Sequence, residues 1–306
     1  MVAAIRNPIE WLADQIGGGS HHIGAATESL GVEKGEVGLE DVRIQHIDIP
    51  DLRDALRAGL ADLAACRTDV VFLCLVYSIG GLILTFIAFD QNLLQLLFPA
   101  MAGFVLLGPV AAVGLYELSR RREKGEAADW RHALAVLASP SFGAIVALGL
   151  LLVGFFVVWL IAAQIIYDAT LGPEPPASLG ALLSDALTTG AGWVMIVVGF
   201  AVGFVFAAIT LATSVVSFPM MLDKHVGAPT AIVTSLRVTA RNLRPIAAWG
   251  LIVAVGLAVG SIPLFLGLVV VLPILGHATW HLYRKVVTYE GVGTSKRKAA
   301  RGAKSG

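Results

Sequence analysis

Two histidines one helical turn apart pose the first chemical question. In Gly276-His-Ala-Thr-Trp-His-Leu-Tyr-Arg284, His277 and His281 stand at i and i+4 and would share one face of a helix near its cytoplasmic end. Two imidazoles on one face supply half of a tetrahedral metal site. The remaining ligands would have to come from the same side of the molecule, from Glu117 or Tyr116, His132, or Asp223 and His225. The pair cannot supply both axial ligands of one haem, which approach the iron from opposite sides. A competing reading fits the composition better. His277, Trp280, His281 and Tyr283, followed by Arg284 and Lys285, resemble a membrane-interface belt, and an imidazole there titrates near neutral pH without a cofactor. The belt is the expectation, with metal or haem binding and proton handling as alternatives. No cofactor and no metal is expected; a site, if built, would draw on His277, His281, Glu117 and His132.

Other chemistry is sparse. The chain lacks GxSxG, HExxH, GxxxxGK[ST] and a GxGxxG between a strand and a helix. Cys66 and Cys74 lie eight apart without a CxxC, so they read as packing residues. His21 and His22 sit in a glycine-rich stretch that reads as a solvated linker. The centres of the apolar stretches carry no ionisable residue, which argues against an ion-coupled transporter or proton pump. A pore for a neutral or lipidic solute survives that argument. Arg120 to Arg122 and the basic tail after Arg284 read as anchors on an anionic leaflet, and no nucleic-acid partner is expected.

The elements that would position these residues are membrane helices. The chain has 306 residues, 57% of them hydrophobic and only 14% charged, with a mean hydropathy of +0.79, far from the roughly one-quarter charged composition of soluble domains. The zero net charge conceals an acidic N-terminal region, with twelve acids against six bases in residues 1–69, and a basic C-terminal tail. Five stretches qualify as spans: Val70 to Phe89, Leu93 to Leu118, Ser141 to Tyr167, Trp193 to Phe218 and Ile246 to Tyr283. The last, at 38 residues, is nearly twice the membrane thickness and divides at Ser261-Ile262-Pro263, where proline cannot donate to a continuing helix. The sequence therefore predicts an all-α, polytopic membrane helix bundle of six transmembrane helices.

Lys and Arg accumulate before the first span and after the second, fourth and sixth, whereas Asp90 to Asn92, Asp168 to Gly192 and the turn at Pro263 contain none. Placing all basic segments in the cytoplasm requires an even number of spans and puts both termini there. Three segments, 51–69, 127–140 and 228–245, each read as an amphipathic stretch leading into a hairpin, a pattern of three interfacial-helix-plus-hairpin repeats. In the first, Leu52, Leu56, Leu60 and Leu63 form the apolar stripe, with Arg53, Asp54, Arg57 and Asp62 largely off it. Gly199/Gly203 and Gly256/Gly260 are small-xxx-small pairs suited to close helix approach. Three regions follow: an N-terminal amphipathic helix and flexible glycine-rich linker over residues 1–44, a six-span membrane domain over 45–287, and a basic disordered tail over 288–306.

The stretches LGPVAAVGLYELSRR (Leu107 to Arg121), VVSFPMMLD (Val215 to Asp223) and VLPILGHATWHLYRK (Val271 to Lys285) resemble a bacterial family of predicted integral membrane proteins catalogued only as a domain of unknown function. The resemblance covers roughly residues 45–287. It implies a six-span protein of the bacterial inner membrane and no particular activity; Ile5-Arg-Asn-Pro-Ile-Glu-Trp11 resembles openings of alphaproteobacterial members. Some relatives carry a label suggesting subunit I of cytochrome c oxidase. That label fails on chemistry, because two marginal histidines cannot ligate two haems and a copper. The expected function is a non-enzymatic accessory, scaffold or assembly protein, with membrane lipids and another membrane protein or complex as partners. The alternatives are a channel or permease for a neutral or lipidic solute, and a haem- or metal-handling protein.

Overall fold

The computed structural model describes residues 38–289 apart from 66, 91–92, 127, 129–131, 134 and 264–265. The expected N-terminal amphipathic helix, the two linker histidines and most of the basic tail lie outside the described residues. A short strand, β1 (Val42–Ile44), leads into helices α1 (Ile49–Ala65) and α2 (Arg67–Asp90). The chain continues through α3 (Leu97–Phe104), α4 (Gly108–Ala111), α5 (Val113–Glu123) and α6 (Phe142–Thr170). Then come α7 (Leu179–Thr188), α8 (Gly190–Ser214), α9 (Ser217–Lys224), α10 (Ala228–Arg241), α11 (Leu243–Ser261), α12 (Leu268–Val286) and strand β2 (Val287–Tyr289). The all-helical class is therefore as expected.

Among the described residues, three helices are long and apolar enough to cross a membrane: Phe142–Thr170, Leu243–Ser261, and Gly190–Lys224 taken across the turn at Val215-Val216. The long fifth stretch divides where proline demanded, with α11 ending at Ser261 and α12 beginning at Leu268. The second expected span differs from its prediction. It is interrupted by a 3-10 turn at Val105–Leu107 and restarts at Gly108 with Pro109 in the first turn of α4. Proline has no N–H and disfavours helical geometry in the residue before it, so the helix breaks there although hydropathy runs on.

The first and third of the expected interfacial segments are full helices, α1 and α10. Of the second, the described residues are helical at 132–133 and form a 3-10 turn at Ala135–Ala138. The first packs differently from the expected stripe. Its buried seam is Leu52, Ala55, Gly59 and Asp62, while Leu60 is 49% exposed. Small residues win the seam because α1 lies directly on the last helix: a Cβ on Gly59 would stand 2.7 Å from both the Ala278 nitrogen and the Ile274 carbonyl oxygen. Leucines at these positions would hold the two backbones apart. Leu56 and Leu63 only flank the contact.

Glycine also sets the other close approaches. A Cβ on Gly256 would stand 3.3 and 3.5 Å from Val271 and Leu275, and one on Gly260 would meet Leu268 and Gly267, so both glycines let the α11–α12 hairpin close. Of the pair on α8, a Cβ on Gly203 would stand 3.1 Å from the Trp159 ring, whereas Gly199 faces open space. Trp159 also lies against Gly103 of α3 and donates to the Pro99 carbonyl at 2.8 Å, so one indole joins α3, α6 and α8.

The chain ends of the fold are tied together. β1 pairs antiparallel with β2, Val42 opposite Tyr289 and Ile44 opposite Val287. Asn242, between α10 and α11, accepts from the Ile47 N–H at 3.0 Å and donates to the Gln45 carbonyl at 3.1 Å. Residues 42–44 and 288–289, assigned from sequence to the linker and the tail, thus belong to the folded unit. Alternating pattern over three residues is too short to reveal such strands.

Candidate functional site

The densest buried polar cluster centres on Asp62, which protrudes from α1 between α5 and α12. Its Oδ2 accepts from the Ser119 hydroxyl at 2.6 Å and meets His281 Nε2 at 2.9 Å, while its Oδ1 takes Arg122 at 2.6 Å. Ser119 Oγ in turn lies 2.7 Å from His277 Nδ1. Asp62 is 6% exposed, Ser119 1% and His277 0%, so the group is shielded while His281 and Arg122 reach outward. Local structure makes the convergence possible: Ser119 and Arg122 are one turn apart on α5, as His277 and His281 are on α12.

The proton inventory follows from the donors. If Ser119 donates its only hydrogen to Asp62, it must accept from His277, which places the His277 proton on Nδ1. His277 Nε2 is then a buried acceptor, and it has no hydrogen-bond partner among the described residues. The trio of serine, histidine and aspartate is not arranged as a nucleophile relay. In such a relay the carboxylate orients the far nitrogen of the histidine; here it holds the serine, and the serine stands between the other two.

The charge on Asp62 is held in place by its neighbours. Burial pushes the carboxyl up, but hydrogen bonds from His281 and Ser119 and the positive fields of His281 and His277 outweigh it, so the net shift is below the ordinary value of 3.8. A depressed folded value means the carboxylate contributes stability above its unfolded pKa and loses it as pH falls through the folded one.

A second polar layer surrounds the cluster. Glu117, with its side chain 3% exposed, is clasped by Arg120 and Arg121 at 2.7 Å each. Glu123 takes Trp280 Nε1 at 3.0 Å and Arg284 at 2.9 Å. Asp223 accepts from the Tyr283 hydroxyl at 2.8 Å, and Lys285 reaches Asp51 and Asp54 at 2.9 and 3.2 Å. The Asp48 amide and Lys285 hold Asp51 below its ordinary range, and Asp51 in turn raises Lys285.

The sequence-derived candidates are distributed accordingly. His277 and His281 do share a face, and Asp62 joins them. They do not form an outward belt: His277, Trp280 and Tyr283 are at most 1% exposed, with Trp280 bonded to Glu123 of α5 and Tyr283 to Asp223 of α9. Glu117 is spent on its arginines, His225 lies 2.8 Å from Ser141, and His132 is half-buried. Among the described residues no group of three or more His, Cys, Asp or Glu is arranged to hold a metal ion. Sequence reasoning missed Asp62 and Ser119. The available signal was an acidic residue three positions after Gly59, in register with Leu52 and Ala55 on the small-residue face.

A small, mostly apolar cleft of about 90 Å³ opens at the break in the second expected span. It is lined by Gly108, Pro109, Tyr116, Ser214, Gly276 and Thr279, among others. Thr213, Ser214 and Ser217 turn their hydroxyls back onto carbonyls of the preceding turn at 2.6–2.8 Å, and Gln164 bonds to Gln95 and Asp168. Thr210 Oγ1 is buried without a hydrogen-bond partner among the described residues.

Apolar helices of spanning length, lipid-type side chains exposed along them and a polar layer at their ends define an integral membrane protein. Residues 97–223 match the family described as Predicted integral membrane protein (DUF2189), a family of unknown function. The match contains two of the three stretches that carried the resemblance and the Ser119, Arg122 half of the cluster; Asp62, His277 and His281 lie outside it. No curated protein and no solved structure matches the chain.

Proposed function

We propose that this protein is a non-enzymatic accessory or scaffold protein of the bacterial inner membrane, with six spans and both termini in the cytoplasm. Its partner in this reading is another membrane protein or complex. The observation that carries the proposal is the tightly paired polar layer around Asp62, joining α1, α5 and α12 beside a core whose cleft has room for only a few water-sized groups. Such an arrangement favours a rigid body over a path that must open and close. In proteoliposomes the purified protein should pass glycerol and urea no faster than protein-free vesicles. Solute flux above that background, abolished by filling the cleft with Ser214→Trp, would replace this reading with the channel one.

Orientation carries its own test. The described basic clusters lie on α1 and at the start of α2 and flank the ends of α5, α10 and α12, and their joint placement in the cytoplasm supports the even span count. A cysteine introduced at Ser178, beside the capped helix α7, should react with an impermeant thiol reagent in intact cells, and one at Ser295 only after lysis. The opposite pattern would invert the topology.

A further inference from the structure

We propose that the outer face of the corner between α10 and α11 binds the phosphate headgroups of anionic phospholipids through Arg237, Arg241 and Arg244. The inner face of this corner is spent on the fold, with Ala231, Thr234, Ser235, Val238 and Asn242 all buried. The outer face presents the three arginines, all exposed, next to Leu236 at 44% and Leu243 at 65% exposure. Exposed leucines among arginines suit the boundary between acyl chains and headgroups, where the leucines enter the apolar layer and the guanidinium groups reach up to phosphate. Arg237 and Arg241 are one turn apart on α10, and Arg244 lies in the first turn of the membrane-spanning α11, so all three fall at the level where that helix leaves the bilayer.

Charge complementarity identifies the occupant. Among the described residues most other cations at this end are paired: Arg120 and Arg121 with Glu117, Arg122 with Asp62, Lys224 with Asp223, Arg284 with Glu123, Lys285 with Asp51 and Asp54. Arg237, Arg241 and Arg244 form no ion pair among the described residues, and residues 224–289 contain no Asp or Glu at all. The protein leaves these three charges for an external anion. A planar guanidinium fork binds phosphate oxygens two at a time, and the leaflet supplies phosphate at this depth. The inference rests on the reading of Leu243–Ser261 as a span, and is independent of whether solute crosses.

Short-chain phosphatidylglycerol titrated against phosphatidylcholine into the detergent-solubilised full chain, with the unfolding midpoint as readout, tests it. Wild type should show a saturable stabilisation by phosphatidylglycerol alone, removed by high salt. At about fivefold per arginine, the triple variant R237Q/R241Q/R244Q should bind about a hundredfold more weakly, while Arg53→Gln, an exposed cation on the acid-bearing α1, should respond like wild type. Equal responses to the two lipids in wild type, or an undiminished response in the triple variant, would overturn the proposal. So would stabilisation by an acidic peptide in place of the lipid, which would assign the face to a protein. If the triple variant fails to fold, the salt-sensitive difference between the two lipids on wild type decides alone. A protein that conducts solute yet keeps this lipid response would end the accessory reading and leave the lipid site standing.

Discussion

Asp62→Ala is expected to be the most damaging single substitution outside the spans, lowering stability by about 3–5 kcal/mol. The carboxylate is nearly inaccessible and serves Ser119, His281 and Arg122 at once. Removing it leaves a guanidinium without its counter-ion, a buried serine hydroxyl without its acceptor and two histidines facing a void. Thermal unfolding in detergent should show a large fall in midpoint. Asp62→Asn, which keeps the shape and one acceptor, should fall less. The pH profile adds a signature: because the folded pKa lies below 3.8, wild type should lose this contribution only as pH drops through that range, and Asp62→Asn should lack that component of acid destabilisation. A midpoint for Asp62→Ala within error of wild type would show that the polar layer is incidental to the fold.

Gly59→Ala should destabilise by about 1–3 kcal/mol through overpacking. The added methyl would meet the backbone of α12, whose atoms cannot rotate away as a side chain can, so α1 must lift and the hydrogen bonds of Asp62 lengthen with it. Gly199→Ala provides the contrast: nothing stands within 4 Å of its Cβ position, and relief of glycine's backbone freedom should leave stability unchanged or raise it by about 0.5–1 kcal/mol. Gly276→Ala should fall between them, since its obstacle is the Leu115 side chain, which has rotamers to use. Equal effects at Gly59 and Gly199 would refute the close α1–α12 seam.

Composition and local pattern determined the protein's class: an 18-residue apolar window needs no tertiary information, and neither does the stop imposed by Pro263 or the close approach that Gly256 and Gly260 permit. Pro109 was equally visible, yet uninterrupted hydropathy masked the break it causes, because hydropathy measures solvent preference and proline acts on backbone geometry. The functional candidate depended on more distant relations. His277 and His281 could be placed on one face from their spacing, but the residue they share lies 219 positions from His281, and its serine partner 57 positions from it. A helical stripe read by hydrophobicity also put the leucines inward and Asp62 outward. Tertiary structure kept Leu52 inside but exchanged Leu60 and Asp62, because the approach of α12 rewards the absence of a side chain at Gly59, and a carboxylate becomes buried only where Arg122, Ser119 and His281 arrive from two other helices to balance its charge.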